Sequence, residues 1–324
     1  MSDEQVQIEG MVRSLAREQF APKAAEIDEE ARYPAENMRL LGELGLLGML
    51  YPLAYGGSEA GPVAYAVALR EVAFGCASTA VGMAVTNMVG EAIYRFGTEE
   101  QRRRFLPGLA TGRAGAGAFA LTEPSAGSDA FGLQATAREN GVEYVLNGEK
   151  AFITNGANAG VTIVMALTNR DPRTISAFLV EKGTPGFHVG RAERKMGLKG
   201  SDTVSLSFDD CRVPKANMLG APGDGFRIAM TALDGGRIGI SSQAIGIARA
   251  ALETATAYAR ERKQFGQPIA EFQAIQWMIA DAATELDAAQ LLAFRAAYLK
   301  ELGKTYSREA SMSKVFATEA GNRA

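Results

Sequence analysis

The run Ala120-Leu121-Thr122-Glu123-Pro124-Ser125-Ala126-Gly127-Ser128-Asp129 gathers groups suited to holding a ligand. It follows an apolar stretch, Ala116 to Leu121, that reads as a strand opening into a loop of small and hydroxyl-bearing residues. Pro124 fixes one φ angle and Gly127 permits a positive one, so the loop is predicted to turn sharply and keep its shape. Backbone N–H groups and the hydroxyls of Thr122 and Ser128 then aim at one small volume. That is the equipment for the polar edge of a heteroaromatic ring or for a phosphate. Standing alone, the segment would read as a surface turn.

Two further groups can handle charge. Asp234 and Arg237 lie three apart on one predicted helical face and can pair. The Gly235-Gly236 pair between them costs about 1 kcal/mol per glycine in a helix, which passage of a thin ligand along the helix would offset. Arg262, Lys263 and Gln264 stand at a helix end before Phe265-Gly266, a geometry suited to gripping phosphate. The plainer readings are an ion pair within one helix and cations favoured by the helix macrodipole.

Other chemistries are argued against. His188 is the only histidine, which disfavours a Ser/His/Asp triad or a multi-histidine metal site, and it is predicted at a loop or strand edge. Gly115-Ala116-Gly117-Ala118-Phe119-Ala120 matches G-x-G-x-x-A, but that pattern needs a strand before it and a helix after it. Here a turn precedes and a strand with Pro124 follows, so a Rossmann site and a nicotinamide cofactor are rejected.

The elements that must position these groups fall into three parts. Residues 4 to about 113 read as helices: Ile8, Met11, Val12 and Leu15 recur at helical spacing, and Met38, Leu41 and Leu44 follow Pro34. Pro62 opens a run through Phe74, Ala77 to Phe96 ends at Gly97, and Thr98-Glu99-Glu100-Gln101 has the form of a capping box. From 116 to about 213 β-formers alternate. Asn140-Gly141 and Asn147-Gly148 flank Val142 to Leu146 and predict hairpin turns. Thr162 to Leu167 and Ile175 to Val180 read as central strands.

From Gly223 the pattern is helical again, with one run to about Arg262. A second helix is predicted to bury Phe272, Ile275, Ile279, Leu286 and Leu299, and a third, from near Ser307, carries Met312, Val315 and Phe316. The expected fold is α+β multidomain. It has an N-terminal helical domain (1–114), a central β-barrel-like or sandwich domain (115–220), and three helices of a C-terminal bundle (221–324), which is incomplete.

Composition agrees with an ordinary globular chain: 324 residues, 47% hydrophobic, 22% charged, net charge −3. That balance argues against a nucleic-acid or membrane partner. Two cysteines and an acidic N-terminus, Met1-Ser2-Asp3-Glu4, point to a cytoplasmic setting.

Read together, the motifs resemble the acyl-CoA dehydrogenase flavoproteins, most closely the short-chain, butyryl-CoA type. The first loop does so through Gly132, and Phe152-Ile153-Thr154-Asn155-Gly156, Leu233 to Arg237, and Arg262 to Gly266 with Phe272-Gln273 follow in order. The resemblance implies FAD, with Leu121, Thr122, Gly127, Ser128, Phe152, Ile153 and Thr154 around the ring; Phe152 stands where many relatives carry Trp. It implies that Arg262, Phe265 and Gln273 reach the FAD of a neighbouring subunit in a homo-oligomer, the family's tetramer. Ser128, Asp234 and Arg237 would contact the acyl-CoA. The implied reaction is α,β-dehydrogenation: a carboxylate removes the α-proton, the β-hydrogen leaves as hydride to FAD, and an electron-transfer flavoprotein takes the electrons.

One part of the resemblance is missing. The family's usual base is a Glu in a Tyr-Glu-Gly-Thr segment near a Gly-Gly-x-Gly loop, and neither occurs in this sequence. A minority of relatives place the Glu where Gly236 stands here. No catalytic residue is therefore assigned within the chain, and the base is expected beyond Ala324. The alternatives are an FAD-binding oxidase or monooxygenase relative, a catalytically inactive one, or a cofactor-free helical interaction module.

Overall fold

Helix starts are set by side chains that satisfy the free N–H groups. The Thr98 hydroxyl accepts the Gln101 N–H at 3.2 Å and the Thr98 N–H donates to Gln101 Oε1 at 3.0 Å, the predicted capping box. Ser2 and Gln5 repeat the device at the first helix. The computed structural model describes all 324 residues. In chain order the elements are α1 (Asp3–Leu15), α2 (Ala21–Glu29), α3 (Ala35–Glu43), α4 (Gly61–Gly75), α5 (Ala77–Phe96) and α6 (Glu99–Ala110). Then come β1 (Ala116–Ala120), β2 (Thr136–Asn140), β3 (Glu143–Thr154), β4 (Ala159–Arg170), β5 (Arg173–Glu181), β6 (Phe187–Ala192), β7 (Thr203–Pro214) and β8 (Met218–Leu219). The chain closes with α7 (Gly225–Glu261), the hairpin β9 (Lys263–Gln264) and β10 (Gln267–Pro268), α8 (Gln273–Glu301) and α9 (Ser307–Arg323). The order is helical, then β, then helical, as expected. No helix is long and apolar enough to cross a membrane.

The contacts divide the chain into two units. A helical unit takes Met1–Ala25, Gly61–Val81 and Asp234–Ala324; a sheet-containing unit takes Glu26–Ala60 and Gly82–Leu233.

In the helical unit, close packing rests on small residues. A Cβ at Gly239 of α7 would lie 2.6 Å from Tyr65 Oη, and one at Gly246 would lie 2.2 Å from the Arg70 carbonyl, so α4 can approach α7 only over glycines. Helix α8 buries Ala289, Ala293, Ala296 and Ala297, and α9 buries Ala310, Ser313, Ala317 and Ala320. Helix α9 begins at Ser307 as expected; Met312 and Val315 are exposed, and the buried stripe is made of small residues. On α8, Leu286 is buried whereas Phe272, Ile275, Ile279 and Leu299 are only partly covered.

A charged knot ties α1, α4 and α7. Glu71, 2% exposed, accepts from Arg13 Nε at 3.1 Å and Arg249 at 2.6 Å, and pairs with the equally buried Arg70 at 2.7 Å. Arg70 also reaches Glu9 and Gln290. Burial alone would raise the Glu71 carboxyl, but the Arg13 hydrogen bond and the charges of Arg249 and Arg70 outweigh it and pull it down to about 2.

In the sheet unit, β1 to β8 form one sheet in the order β6-β7-β3-β2-β4-β5-β8, with β1 beside β4 in parallel. One face of β4 and β5 (Val161, Ile163, Leu167, Ile175, Leu179) packs on Ile93, Leu106 and Leu109 of α5 and α6. The other face closes on the sheet itself: Tyr144, Leu146, Phe178, Val204, Leu206 and Phe208 share a core, and the Tyr144 and Phe178 rings lie 5.1 Å apart. Strands that are not neighbours in the sheet thus share one interior, the curl expected of a barrel-like domain. His188 lies on the edge strand β6 and is exposed. The Asn147-Gly148 expectation is corrected: these residues lie within β3, where the pairing with β7 shifts. Gly148 has φ +138°, and a Cβ there would meet Ala135 Cβ at 2.7 Å; the register gains one residue on β7 between Phe208 and Cys211, so this is a β-bulge in a continuing ladder and not a turn.

The depressed Glu71 carboxyl stabilises the fold fully above its ordinary value of 4.5, and that contribution is lost as pH falls towards about 2. Glu71→Gln, which removes the central carboxylate and leaves the buried Arg70 guanidinium only Glu9 as an ionic partner, should cost about 3–5 kcal/mol at neutral pH in denaturant unfolding. The deficit against the parent protein should shrink steadily between pH 4.5 and pH 2; an equal deficit at both ends would contradict this account.

Candidate functional site

Strand β1 ends where the predicted loop begins. Glu123 and Ala126 exchange both backbone hydrogen bonds at 3.1 Å, which folds Pro124-Ser125 into a two-residue tip. The Thr122 carbonyl accepts the Ala151 N–H at 2.9 Å, so the loop is pinned to β3 beside Phe152. The hydroxyls of Thr122, Ser128 and Thr154 make no hydrogen bond within the protein. Leu121 is 8% exposed and belongs to the core, and Ile153 is 2% exposed in the sheet's own interior, so each offers a ligand mainly its main chain.

Gly127 does not take the positive φ expected of it. Its contribution is room, since a Cβ there would meet nothing within 4 Å. The left-handed positions are instead Phe152 (φ +58°) and Asn155 (φ +64°), at the end of β3. A phenylalanine held there costs about 1–3 kcal/mol and persists only where its surroundings fix it. Its ring is 64% exposed. The turn that follows Phe152 is fixed by polar contacts. Buried Asn155 donates through Nδ2 to the carbonyls of Gly82 (3.1 Å) and Gly117 (3.0 Å), and its N–H donates to the Asp202 carbonyl at 3.0 Å. Asp202 Oδ2 accepts Ala157 N–H (2.9 Å), Asn158 N–H (3.1 Å) and Asn158 Nδ2 (2.9 Å). Burial raises the Asp202 carboxyl above its ordinary range against those hydrogen bonds.

Beneath the loop lies an ion pair. Lys150 is 0% and Glu123 5% exposed. Lys150 Nζ donates to Glu123 Oε1 at 2.7 Å and to the Leu121 carbonyl at 3.1 Å. Glu123 also accepts the Gln134 N–H at 2.6 Å and the Ala135 N–H at 3.0 Å. Burial pulls the Lys150 ammonium below its usual value, opposed by the charge of Glu123. Sequence reasoning passed over Lys150. Reading Asn147-Gly148 as a turn ended the predicted strand at Leu146, which hid the parity that Lys150 shares with the inward-facing Tyr144 and Leu146 on the continuous β3.

In the helical unit, Asp234 and Arg237 do pair, one turn apart on α7 and both partly exposed. Arg262 ends α7 and leads into the β9–β10 hairpin, a tighter structure than the loop expected. Its two turn residues, Phe265 (φ +52°) and Gly266 (φ +83°), have the signs of a type I′ turn. Phe265 is 94% exposed, Arg262 and Gln273 are exposed, and the Arg262 guanidinium has no partner within the chain.

Three family models match in chain order: the acyl-CoA dehydrogenase N-terminal domain (residues 2–113), middle domain (118–211) and C-terminal domain (223–324). The chain belongs to the acyl-CoA dehydrogenase family. It is 46% identical over 323 residues to an NADH acryloyl-CoA reductase of Anaerotignum propionicum, covering 98% of this chain and 82% of that protein. It is 46% identical over 311 residues to the mitochondrial short-chain specific acyl-CoA dehydrogenase of Rattus norvegicus, covering 95% and 75%. The butyryl-CoA dehydrogenase of Megasphaera elsdenii superposes with a TM-score of 0.96 at 40% identity, over 99% of this chain and 85% of that one. The family consists of FAD-dependent oxidoreductases.

The loop and the end of β3 fit such a cofactor. An uncovered aromatic face, three unbonded hydroxyls and the open side of Gly127 suit a flat ring with a polar rim. Phe152→Gly tests this with two assays expected to diverge. Glycine tolerates φ +58°, so the unfolding free energy should stay within about 1 kcal/mol of the parent. FAD affinity, measured by titration, should fall about tenfold with loss of the ring face. Unchanged affinity would remove Phe152 from the site.

Proposed function

We propose that this chain binds FAD and a short-chain acyl-CoA and serves the α,β-dehydrogenation of the thioester to its 2-enoyl product. The observation that carries the reading is the exposed Phe152 ring on a strained backbone, hydrogen-bonded through its neighbour Ala151 to a loop whose hydroxyls lack protein partners. In this reading Leu121, Thr122, Gly127, Ser128, Phe152, Ile153 and Thr154 hold and orient the ring, the buried ones through their main chain. FAD, when bound, supplies the acceptor for the hydride lost from the β-carbon. Ser128 contacts the substrate, and Asp234 and Arg237 hold the polar arm of CoA. Arg262, Phe265 and Gln273 serve the FAD of a second copy; the exposed hairpin supports this, as do the uncovered Trp277, Met278 and Leu291 of α8. We take the assembly to be a homotetramer, the electron acceptor to be an electron-transfer flavoprotein, and the setting to be cytoplasmic. Functional divisions at 1–114, 115–220 and 221–324 accompany this reading.

The α-proton is not taken by a carboxylate of these sites. Glu123 is committed to Lys150 and two N–H groups, and Asp234 to Arg237. That step belongs to the Glu that the family carries in a Tyr-Glu-Gly-Thr segment, which this sequence does not contain.

The purified protein should be yellow and release FAD on denaturation, and anaerobic butyryl-CoA should shift its visible flavin band, with bleaching wherever a base is supplied. Arg237→Gln should weaken butyryl-CoA binding about tenfold in the same titration, through loss of a charge-assisted contact, without changing FAD affinity. A colourless protein that releases no flavin would contradict the reading.

A further inference from the structure

We propose that Glu123 and Lys150 are positioning residues: their buried ion pair shapes the flavin loop before any cofactor arrives. The inference rests on the FAD reading above and assigns it two residues that touch neither ring nor substrate.

The geometry singles out this pair. Its contacts join three segments: the loop through the Leu121 carbonyl, the return of the chain through the N–H groups of Gln134 and Ala135, and β3 through Lys150 itself. The Ala151–Thr122 hydrogen bond lies one residue from both partners. Thr122 and Phe152, the groups offered to the ring, are thus each within two residues of a charged partner of the pair. The pair satisfies itself. Nζ has two acceptors, the carboxylate has three donors, and neither residue faces solvent. A buried ammonium without its carboxylate is strongly unfavourable, so any departure of the loop from this shape exposes an uncompensated charge. A merely stabilising core needs no such device, because well-packed apolar residues of similar volume often do as well or better. What the charges add is one permitted arrangement of the loop, and a site held in its bound shape loses less freedom on binding.

Two measurements test this. In Glu123→Gln combined with Lys150→Met both charges are removed together and the volume is kept, so no unpaired charge is buried. The FAD-free double variant should unfold close to the parent, while its FAD dissociation constant rises about tenfold or more and the fine structure of the flavin band changes, as for loss of a supporting residue behind a site. Parental affinity with a parental spectrum would overturn the proposal. Hydrogen exchange on the unaltered protein gives an answer even if the variant does not fold. The amides of Gln134, Ala135 and Ala151 should be equally protected with and without FAD. Protection that arises only when FAD binds would show that the cofactor, and not the ion pair, shapes the loop. If the unaltered protein takes up no FAD at all, the cofactor reading itself fails, and exchange in the free protein still decides whether the pair orders the loop.

Discussion

A lysine with no exposed surface constrains the sheet-containing unit. Lys150 can stay inside only while Glu123 and the Leu121 carbonyl are within reach, and Glu123 can stay inside only while it also receives the N–H groups of Gln134 and Ala135. Strand β3, the loop after β1 and the entry to β2 must therefore stand in one register. The bulge of β7 opposite Gly148, where the pairing of β3 shifts, lies two residues before this lysine. A strand slipped by one residue would turn Lys150 to the other face and leave Glu123 buried beside no cation.

Beyond that anchor, the structure holds the backbone where it would not rest unaided. Phe152 and Asn155 both have positive φ within four residues, and neither is a glycine. Asn155 offsets the strain by spending its amide on two carbonyls from other segments, and Asp202 gathers three N–H groups from the turn that follows. Asn155 is fully buried and Asp202 partly so, whereas Phe152, three residues before Asn155, is largely uncovered. Strain concentrated under an exposed aromatic, with neighbouring hydroxyls unbonded, is the pattern of a surface kept ready for something flat.

Much of this was legible in the residues. The Thr98 capping box, Gly97 after α5 and the apolar runs of β4 and β5 lie where alternation and turn chemistry place them, because those signals are local. The failures share a physical cause, which is that tertiary contacts decide between local options. Asn147-Gly148 carries a strong turn signal, but it passes close to Ala135 within a continuing strand, opposite a bulge of β7. Gly127 reads as a conformational hinge and proves to be a space-maker. On α8, Phe272, Ile275, Ile279 and Leu299 read as inward-facing, yet the helix buries Ala289, Ala293, Ala296 and Ala297, since small side chains permit the close approach. In the binding loop the hydroxyls and Phe152 were readable, while the pair beneath them was not, because Lys150 and Glu123 are 27 residues apart and meet only in the folded sheet.

The central claim is that the loop after β1 and the end of β3 together make a seat for the flavin ring. A crystal structure of the protein grown with FAD tests it most directly. The account predicts the tricyclic ring against the Phe152 face, with Thr122, Ser128 and Thr154 at hydrogen-bonding distance from its rim and the loop unmoved. A ring bound elsewhere, or those side chains turned away from it, would contradict the account.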